Sequence, residues 1–152
     1  MLFRSRAAGS GGDMNEVTMV ARNAISRCQC FVLLDTLEYL QKGGRIGKAQ
    51  AMLGNLLRIR PLIIVQGGEV HPLGKERTRR KGIAKLVSTA TEFGPLDGLA
   101  VMYSTAPDEA HSLARELSSL MEGDQEPMVH QFGPTLGTYM GPDALGIGLI
   151  SA

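Results

Sequence analysis

Short apolar runs of the kind that form strands alternate along this chain with segments whose apolar residues recur at helical spacing. The strand-type runs lie at residues 30–34, 62–66, 69–73, 98–104, 127–132 and 146–150. The helical segments lie at residues 13–27, 36–42, 47–57, 78–93 and from residue 107 onwards. Strands that alternate with helices predict the α/β class. We expect a single layered domain with a central mixed β-sheet, helices packed on it, and an antiparallel element at the 62–73 hairpin.

The chain of 152 residues is long enough for one ordinary domain, which buries about two-thirds of its unfolded surface. Residues 1–12 are small, basic and rich in glycine, so we expect a disordered leader there. Asp13 is placed to cap the helix that follows. The apolar residues of that helix recur at helical spacing and form one stripe, made of Val17, Val20, Ala21, Ala24 and Ile25.

Charge and hydropathy exclude several classes of partner. The 16 basic and 15 acidic residues leave a net charge of +1, so no global field attracts nucleic acid or an anionic membrane. The sequence has no apolar run long enough to span a bilayer and no secretory signal, which predicts a cytoplasmic protein.

Cys28 and Cys30 form a C-x-C pattern at the start of an apolar run. On a strand they share a face at a poor geometry for a mutual disulfide. No histidine has a close ligand neighbour in the sequence, so we interpret the pair as buried structural thiols and expect no metal site.

Three segments depart from what a merely structural sequence requires. Gly43-Gly44-Arg45 joins a tight turn to a guanidinium suited to a carboxylate or phosphate, although a helix end followed by a surface arginine fits equally well. Residues 75–81 hold five cations and one anion at a predicted helix start. Residues 133–146 are rich in glycine and proline, which predicts positive φ angles and backbone close to a ligand, with the Thr138 and Tyr139 hydroxyls at the tightest part. A chain of turns is the alternative there.

The basic segment 75–81 is open to several interpretations. It is a solvated face, a docking patch for an anionic partner, or a nucleic-acid- or phosphate-binding surface. The last has little support, because aromatic residues do not interleave with the cations. The sequence contains no nucleophile, metalloprotease or phosphate-loop motif, so we expect no enzymatic activity; a phosphate-handling enzyme using Gly43-Gly44-Arg45 is the weaker alternative.

Four segments in order resemble the DegV family of bacterial fatty-acid-binding proteins. They are DTLEYLQKGGRI, AQAMLGNLLRIRPLI, KERTRRK and GPTLGTYMGPDALGIG, and the similarity runs from about residue 24 to the end. The resemblance implies an α/β domain over residues 28–152 that corresponds to the family's C-terminal domain. Residues 13–27 would then be a helix left over from, or linking to, the family's N-terminal domain.

The resemblance also implies a function. Family members bind one long-chain fatty acid in a crevice between two α/β domains, and many serve as acyl carriers for a fatty acid kinase that phosphorylates the bound carboxyl group. By that resemblance Arg45, Thr138 and Tyr139 would contact the head group, and Arg77 would contact the kinase. The acyl chain would be lined by Ile46, Ala49, Met52, Leu53 and Leu56.

Two positions depart from the family pattern. Tyr139 stands where the family shows a histidine, and Asp143 stands where it shows a glycine. We expect no counterpart here of the family's first domain, so the chain would supply half of the site and would self-associate through the exposed half.

Overall fold

The structure is a computed structural model that describes residues 7–53, 59–123 and 125–152. The helices are α1 (Met14–Arg27), α2 (Glu38–Lys42), α3 (Arg79–Thr91), α4 (Pro107–Leu117) and α5 (Pro134–Met140), with 3₁₀ helices at Gly47–Met52 and Ser118–Leu120. The strands are β1 (Cys28–Leu33), β2 (Arg60–Gln66), β3 (Glu69–Glu76), β4 (Leu96–Tyr103), β5 (Met128–Gln131) and β6 (Leu145–Ser151).

The six strands form one mixed sheet in the order β3-β2-β1-β6-β4-β5. Neighbouring strands are antiparallel except β4 and β5, which are parallel. Strand β1 pairs with β2 on one side and with β6 on the other, so that Phe31 lies opposite both Ile64 and Ile147. The predicted α/β class with a central mixed sheet is confirmed.

Successive residues of β1, together with Leu34 directly after the strand, contribute alternately to two separate cores. Phe31 and Leu33 belong to a core that packs against α3 and α4, whereas Val32 and Leu34 belong to a second core on the opposite face. All four are at most 2% exposed. This continuous apolar run is therefore a strand buried on both faces rather than an amphipathic one.

The second face of the sheet is covered by short elements rather than long helices. Its core, here called the short-helix cluster, consists of Val32, Leu34, Leu37, Leu40, Ala49, Ile63, Met140 and Ala144. Leu37 and Leu40 come from α2 and the turn before it, Ala49 from the 3₁₀ helix, and Met140 from α5. The face that carries these short elements is therefore also the face to which the predicted acyl-chain residues contribute.

Helix α1 begins where the sequence predicts, and it is only partly buried. The Asp13 carboxylate accepts from the Glu16 N–H at 2.9 Å, and the Glu16 carboxylate accepts from the Asp13 N–H at 2.9 Å, which is a capping box. Its apolar stripe is only partly buried: no residue of α1 is fully buried, and Ile25 is 73% exposed. At the C-terminal end of the helix, Arg27 forms an ion pair with Asp97 at 2.5 Å.

Several predicted elements differ in kind or extent. The helix predicted at residues 47–57 is a 3₁₀ helix over Gly47–Met52, and residues 54–58 lie outside the described residues. Gly47 has φ of +51° and approaches the backbone of Val70 so closely that a Cβ would lie 2.7 Å from the Val70 carbonyl oxygen. In the predicted leader, residues 7–9 are helical.

Asp35, which precedes α2, does not cap that helix, because its carboxylate pairs with Arg60. The Glu38 N–H donates to the Thr36 hydroxyl at 3.1 Å in its place. Cys28 is exposed and Cys30 is half-buried, and both thiols are free, so the expectation of two buried thiols is wrong for Cys28.

We expect Leu33→Ala to lower the free energy of unfolding by about 2–5 kcal/mol, because it opens a cavity at a fully buried position of β1. Leu136→Ala is the matched control, since Leu136 is 48% exposed on α5 and should cost less than about 1 kcal/mol. Urea unfolding followed by circular dichroism measures both. Equal losses for the two variants would contradict the assignment of β1 to the centre of two cores.

Candidate functional site

Arg45 and Tyr139 are in contact at the junction of α2 and α5. The Arg45 Cζ atom lies 5.4 Å from the centroid of the Tyr139 ring, which is a cation–π arrangement. Arg45 is exposed, and the one hydrogen bond of its guanidinium within the described residues is a long one of 3.4 Å from Nη1 to the Gly43 carbonyl. Most of its N–H donors therefore remain free for an anion such as a carboxylate.

Two glycines allow α2 and α5 to approach this closely. A Cβ at Gly43 would lie 2.4 Å from Cδ1 of Tyr139, and a Cβ at Gly141 would lie 2.4 Å from Cδ2 of Tyr39. Each tyrosine ring thus packs over a glycine of the other segment, and Gly141 also requires its φ of +74°. These glycines position the Tyr139 ring beneath Arg45.

The first half of the segment at residues 133–146 is helical, and positive φ angles are confined to its second half. Pro134 occupies the first turn of α5, where a missing N–H costs nothing, and the helix runs to Met140. Within this segment only Gly141 and Asp143 have positive φ angles. The glycines at this site therefore serve close packing more than unusual backbone conformation.

Thr138 does not share the surroundings of its neighbour Tyr139. Its hydroxyl donates to the Pro134 carbonyl at 2.9 Å within the helix, so the oxygen keeps only lone pairs for other partners. Thr138 lines a cavity beside α5, whereas Tyr139 lies against Arg45 and the short-helix cluster. A carboxylate requires donors, so the present rotamer of Thr138 does not supply one.

The cavity beside α5 has a volume of about 410 Å³. Its lining consists of Tyr39, Ser104, Thr105, Gln131, Phe132, Gly137, Thr138, Gly141 and Pro142. Within the described residues the Ser104 hydroxyl is buried and lacks a hydrogen-bond partner, while the Ser104 carbonyl accepts from the Gln131 side chain at 2.8 Å. An unpaired buried hydroxyl is costly, and a ligand oxygen would satisfy it. No motif marks Ser104, and Tyr39 lies within the DTLEYLQKGGRI segment without having been singled out, so sequence reasoning missed both.

The predicted acyl-chain residues divide into three groups. Ala49 is fully buried in the short-helix cluster, and Ile46 and Met52 are partly buried against it. Leu53 is 38% exposed and lies outside that cluster, and Leu56 lies outside the described residues. The structure thus brings Ile46, Ala49 and Met52 together with Tyr139 around one apolar core.

The basic segment 75–81 is not one helical face. Lys75 and Glu76 end β3, and the Thr78 hydroxyl caps α3 by accepting from the Lys81 N–H at 3.3 Å. Arg79 is engaged with Glu109, whereas Arg77 is exposed and has no ion-pair or hydrogen-bond partner within the part of the chain that the structure describes. The cation assigned by resemblance to kinase contact is therefore free to meet a partner.

Asp143 adopts a backbone conformation that favours glycine, with φ of +56°. Its carboxylate accepts from the Thr105 hydroxyl at 2.6 Å, and that same hydroxyl accepts from the Asp143 N–H at 3.0 Å. This geometry gives a physical reason for the glycine that the family pattern shows here. The negative charge is directed to Thr105, at the edge of the cavity.

The remaining ionisable side chains give little indication of a reactive or metal-binding site within the described residues. Burial raises the pKa of the Cys30 thiol, and a nearby Cys28 thiolate raises it further, so Cys30 is a poor nucleophile at neutral pH. Across residues 7–53, 59–123 and 125–152, no three His, Cys, Asp or Glu side chains gather as a metal site would need. In the same ranges no helix combines the length and apolarity of a membrane span.

The fold defines a layered α/β protein in which an exposed arginine lies over a tyrosine ring beside an apolar core. Residues 4–152 match the model of a family described as "Uncharacterised protein, DegV family". The chain is 36% identical over 149 residues to a DegV domain-containing protein of Streptomyces coelicolor, covering 96% of this chain and 53% of that protein. It is 35% identical over 147 residues to one of Clostridium acetobutylicum, covering 94% and 50%. The chain belongs to the DegV family.

Solved structures agree with this assignment. A fatty-acid-binding DegV family protein from Streptococcus agalactiae superposes with a TM-score of 0.82 at 26% identity, covering 99% of this chain and 54% of that one. DegV of Bacillus subtilis, described as a fatty acid binding protein, gives a TM-score of 0.77 at 27% identity, covering 99% and 55%. The chain therefore spans about half the length of the relatives it matches.

Gly43→Ala should displace the Tyr139 ring, because the new Cβ would overlap it at 2.4 Å. We expect a loss of about 1–3 kcal/mol in the free energy of unfolding and a changed tyrosine near-ultraviolet circular dichroism signal. Gly137→Ala is the control, since a Cβ there meets nothing within 4 Å and helix propensity favours alanine. A Gly43→Ala variant with the stability and spectrum of the parent would refute the glycine–tyrosine packing.

Proposed function

We propose that this chain binds a long-chain fatty acid as one half of an acyl carrier and presents the carboxyl group to a fatty acid kinase. The observation that carries the proposal is the Arg45–Tyr139 pair beside the short-helix cluster. A guanidinium with free donors suits a carboxylate, and an adjoining apolar surface suits an alkyl chain. The fatty-acid-binding descriptions of the similar solved proteins support the same ligand class. The proposal includes a cytoplasmic location.

In this proposal Arg45 is the main group that binds the carboxylate of the fatty acid. The Tyr139 hydroxyl replaces the family's histidine as a neutral hydrogen-bond donor, and the ring holds the guanidinium from below. The unpaired Ser104 hydroxyl, which lies in the neighbouring cavity, is an additional donor. Thr138 would join them only if its hydroxyl left the Pro134 carbonyl.

The alkyl chain is proposed to run along Ile46, Ala49 and Met52 and onward over Leu53 and Leu56. Burying a chain of sixteen carbons is worth about 0.8 kcal/mol for each methylene that leaves water, and association costs about 4–15 kcal/mol. A surface that covers one side of the ligand recovers only part of that gain. The proposed binding is accordingly tight only when a second domain closes the crevice.

That division of the site leads to a comparison of two proteins. One is this chain alone, and the other is a chimera in which the N-terminal half of the Bacillus subtilis relative precedes it. Isothermal titration with palmitate below its micelle range should show weak binding to the chain alone and tighter binding to the chimera. Light scattering on the chain alone should show self-association through its uncovered apolar surface. A monomeric chain that binds as tightly as the chimera would contradict the shared site.

In the chimera, Arg45→Ala should weaken palmitate binding by about 10- to 100-fold, the effect of removing a charged hydrogen-bond donor from a carboxylate. Binding of hexadecanol should change little, because an alcohol has no carboxylate for Arg45 to meet. Arg80→Ala serves as the control, since Arg80 is an exposed cation of α3 away from the cavity lining. Unchanged palmitate affinity, or an equal loss for palmitate and hexadecanol, would remove Arg45 from the head-group site.

Arg77→Ala in the same chimera should slow acyl phosphate formation by a bacterial fatty acid kinase while leaving palmitate affinity unchanged. Arg77 is exposed and has no partner among the described residues, so its removal should act on docking alone. The exposed α1 cation Arg22 supplies the control variant, Arg22→Ala. Initial rates measured across kinase concentrations separate docking from chemistry. Equal rates for parent and Arg77→Ala would assign residues 75–81 to a solvated face.

A further inference from the structure

Arg79 differs from the other cations of the basic segment because its guanidinium is fully engaged. Nε donates to both carboxylate oxygens of Glu109 at 2.9 and 2.7 Å, and Nη2 donates to the same carboxylate at 2.5 Å. Nη1 donates to the Asp143 carbonyl at 2.6 Å. One side chain at the start of α3 therefore joins the first turn of α4 to the loop between α5 and β6.

The loop that Arg79 reaches is conformationally strained. Asp143 is the one non-glycine residue with a positive φ among residues 7–53, 59–123 and 125–152. It is held from one side by Arg79 at its carbonyl and from the other by Thr105 at its N–H and carboxylate. A left-handed aspartate persists only where its surroundings fix it.

The position of this loop determines where α5 ends. Gly141 and Pro142 lie between Met140 and Asp143, and both line the cavity together with Thr138. Gly141 also packs beneath the Tyr39 ring. Asp143 therefore lies three residues beyond the end of the helix that carries Tyr139.

We propose that Arg79 is a positioning residue that couples the exposed basic segment to the candidate head-group site by clamping the α5–β6 loop. The clamp lies two residues after Arg77, so the surface proposed for docking and the loop beside the ligand share one side chain. This inference rests on the proposed function for its consequence in binding. The clamp itself consists of hydrogen bonds within this chain.

The test compares Arg79→Lys, which keeps the charge but loses the fork geometry, with Arg80→Lys as the matched control. Exchange of the three amide hydrogens within residues 141–144 of this chain, those of Gly141, Asp143 and Ala144, should become about tenfold faster in Arg79→Lys, the change expected from losing a charged hydrogen bond. Arg80→Lys should leave exchange unchanged. In the chimera, Arg79→Lys should also weaken palmitate binding several-fold, in keeping with that hydrogen bond.

A double variant distinguishes loop positioning from a general contribution to stability. Asp143→Gly removes the need to hold a strained residue, so in the Arg79→Lys background it should restore palmitate affinity towards the parent value. Urea unfolding of each variant checks that the recovery does not merely follow global stability. Parent-like exchange at residues 141–144 in Arg79→Lys, or no recovery in the double variant, would overturn the inference. Failure of the parent chimera to bind palmitate would instead refute the proposed function and leave the exchange result to decide the clamp.

Discussion

The structure depends on one strand that is buried on both faces. Phe31 and Leu33 enter the core beneath α3 and α4, while Val32 and Leu34 enter the short-helix cluster. A strand with two apolar faces must lie inside a sheet and must be covered on both sides. Its pairing with β2 and β6 provides the first condition, and the two sets of helices provide the second. The candidate site follows from this arrangement, because it lies on the face of the sheet that short elements cover.

The two covers differ in how they stabilise the molecule. Helices α3 and α4 bury leucine and alanine stripes, as ordinary core helices do. The opposite cover consists of short elements: Gly47 closely approaches Val70 of the sheet, and Gly43 and Gly141 allow α2 and the end of α5 to pack against each other. Short helices gain little from their own hydrogen bonds and depend on tertiary packing. A face assembled in this way leaves room for a ligand, and its polar corner at Arg45 and Tyr139 lies beside apolar surface.

The pattern of apolar residues located the six described strands to within a few residues, because short apolar runs bounded by turn residues are typical of strands buried in a sheet. It was less informative where packing overrides local preference. The 47–57 segment has a helical apolar pattern, yet its described part is a 3₁₀ helix fitted against β3. The glycine-rich 133–146 segment suggested irregular backbone, whereas its first half is α5. Glycine composition alone does not distinguish a residue needed for positive φ from one needed for close contact.

The sequence by itself determined the α/β class, the approximate position of the apolar strand β1 and the similarity of ordered motifs that predicts the DegV family. These properties are written in local pattern and residue order. Only the tertiary structure decided that Arg45 lies over Tyr139, that Thr138 faces a separate cavity and that Arg79 holds Asp143. Each of these contacts joins residues far apart in the chain or depends on the direction of a side chain from a helix. The packing of α2 and α5 on the sheet sets those distances and directions, and no periodicity in the sequence encodes them.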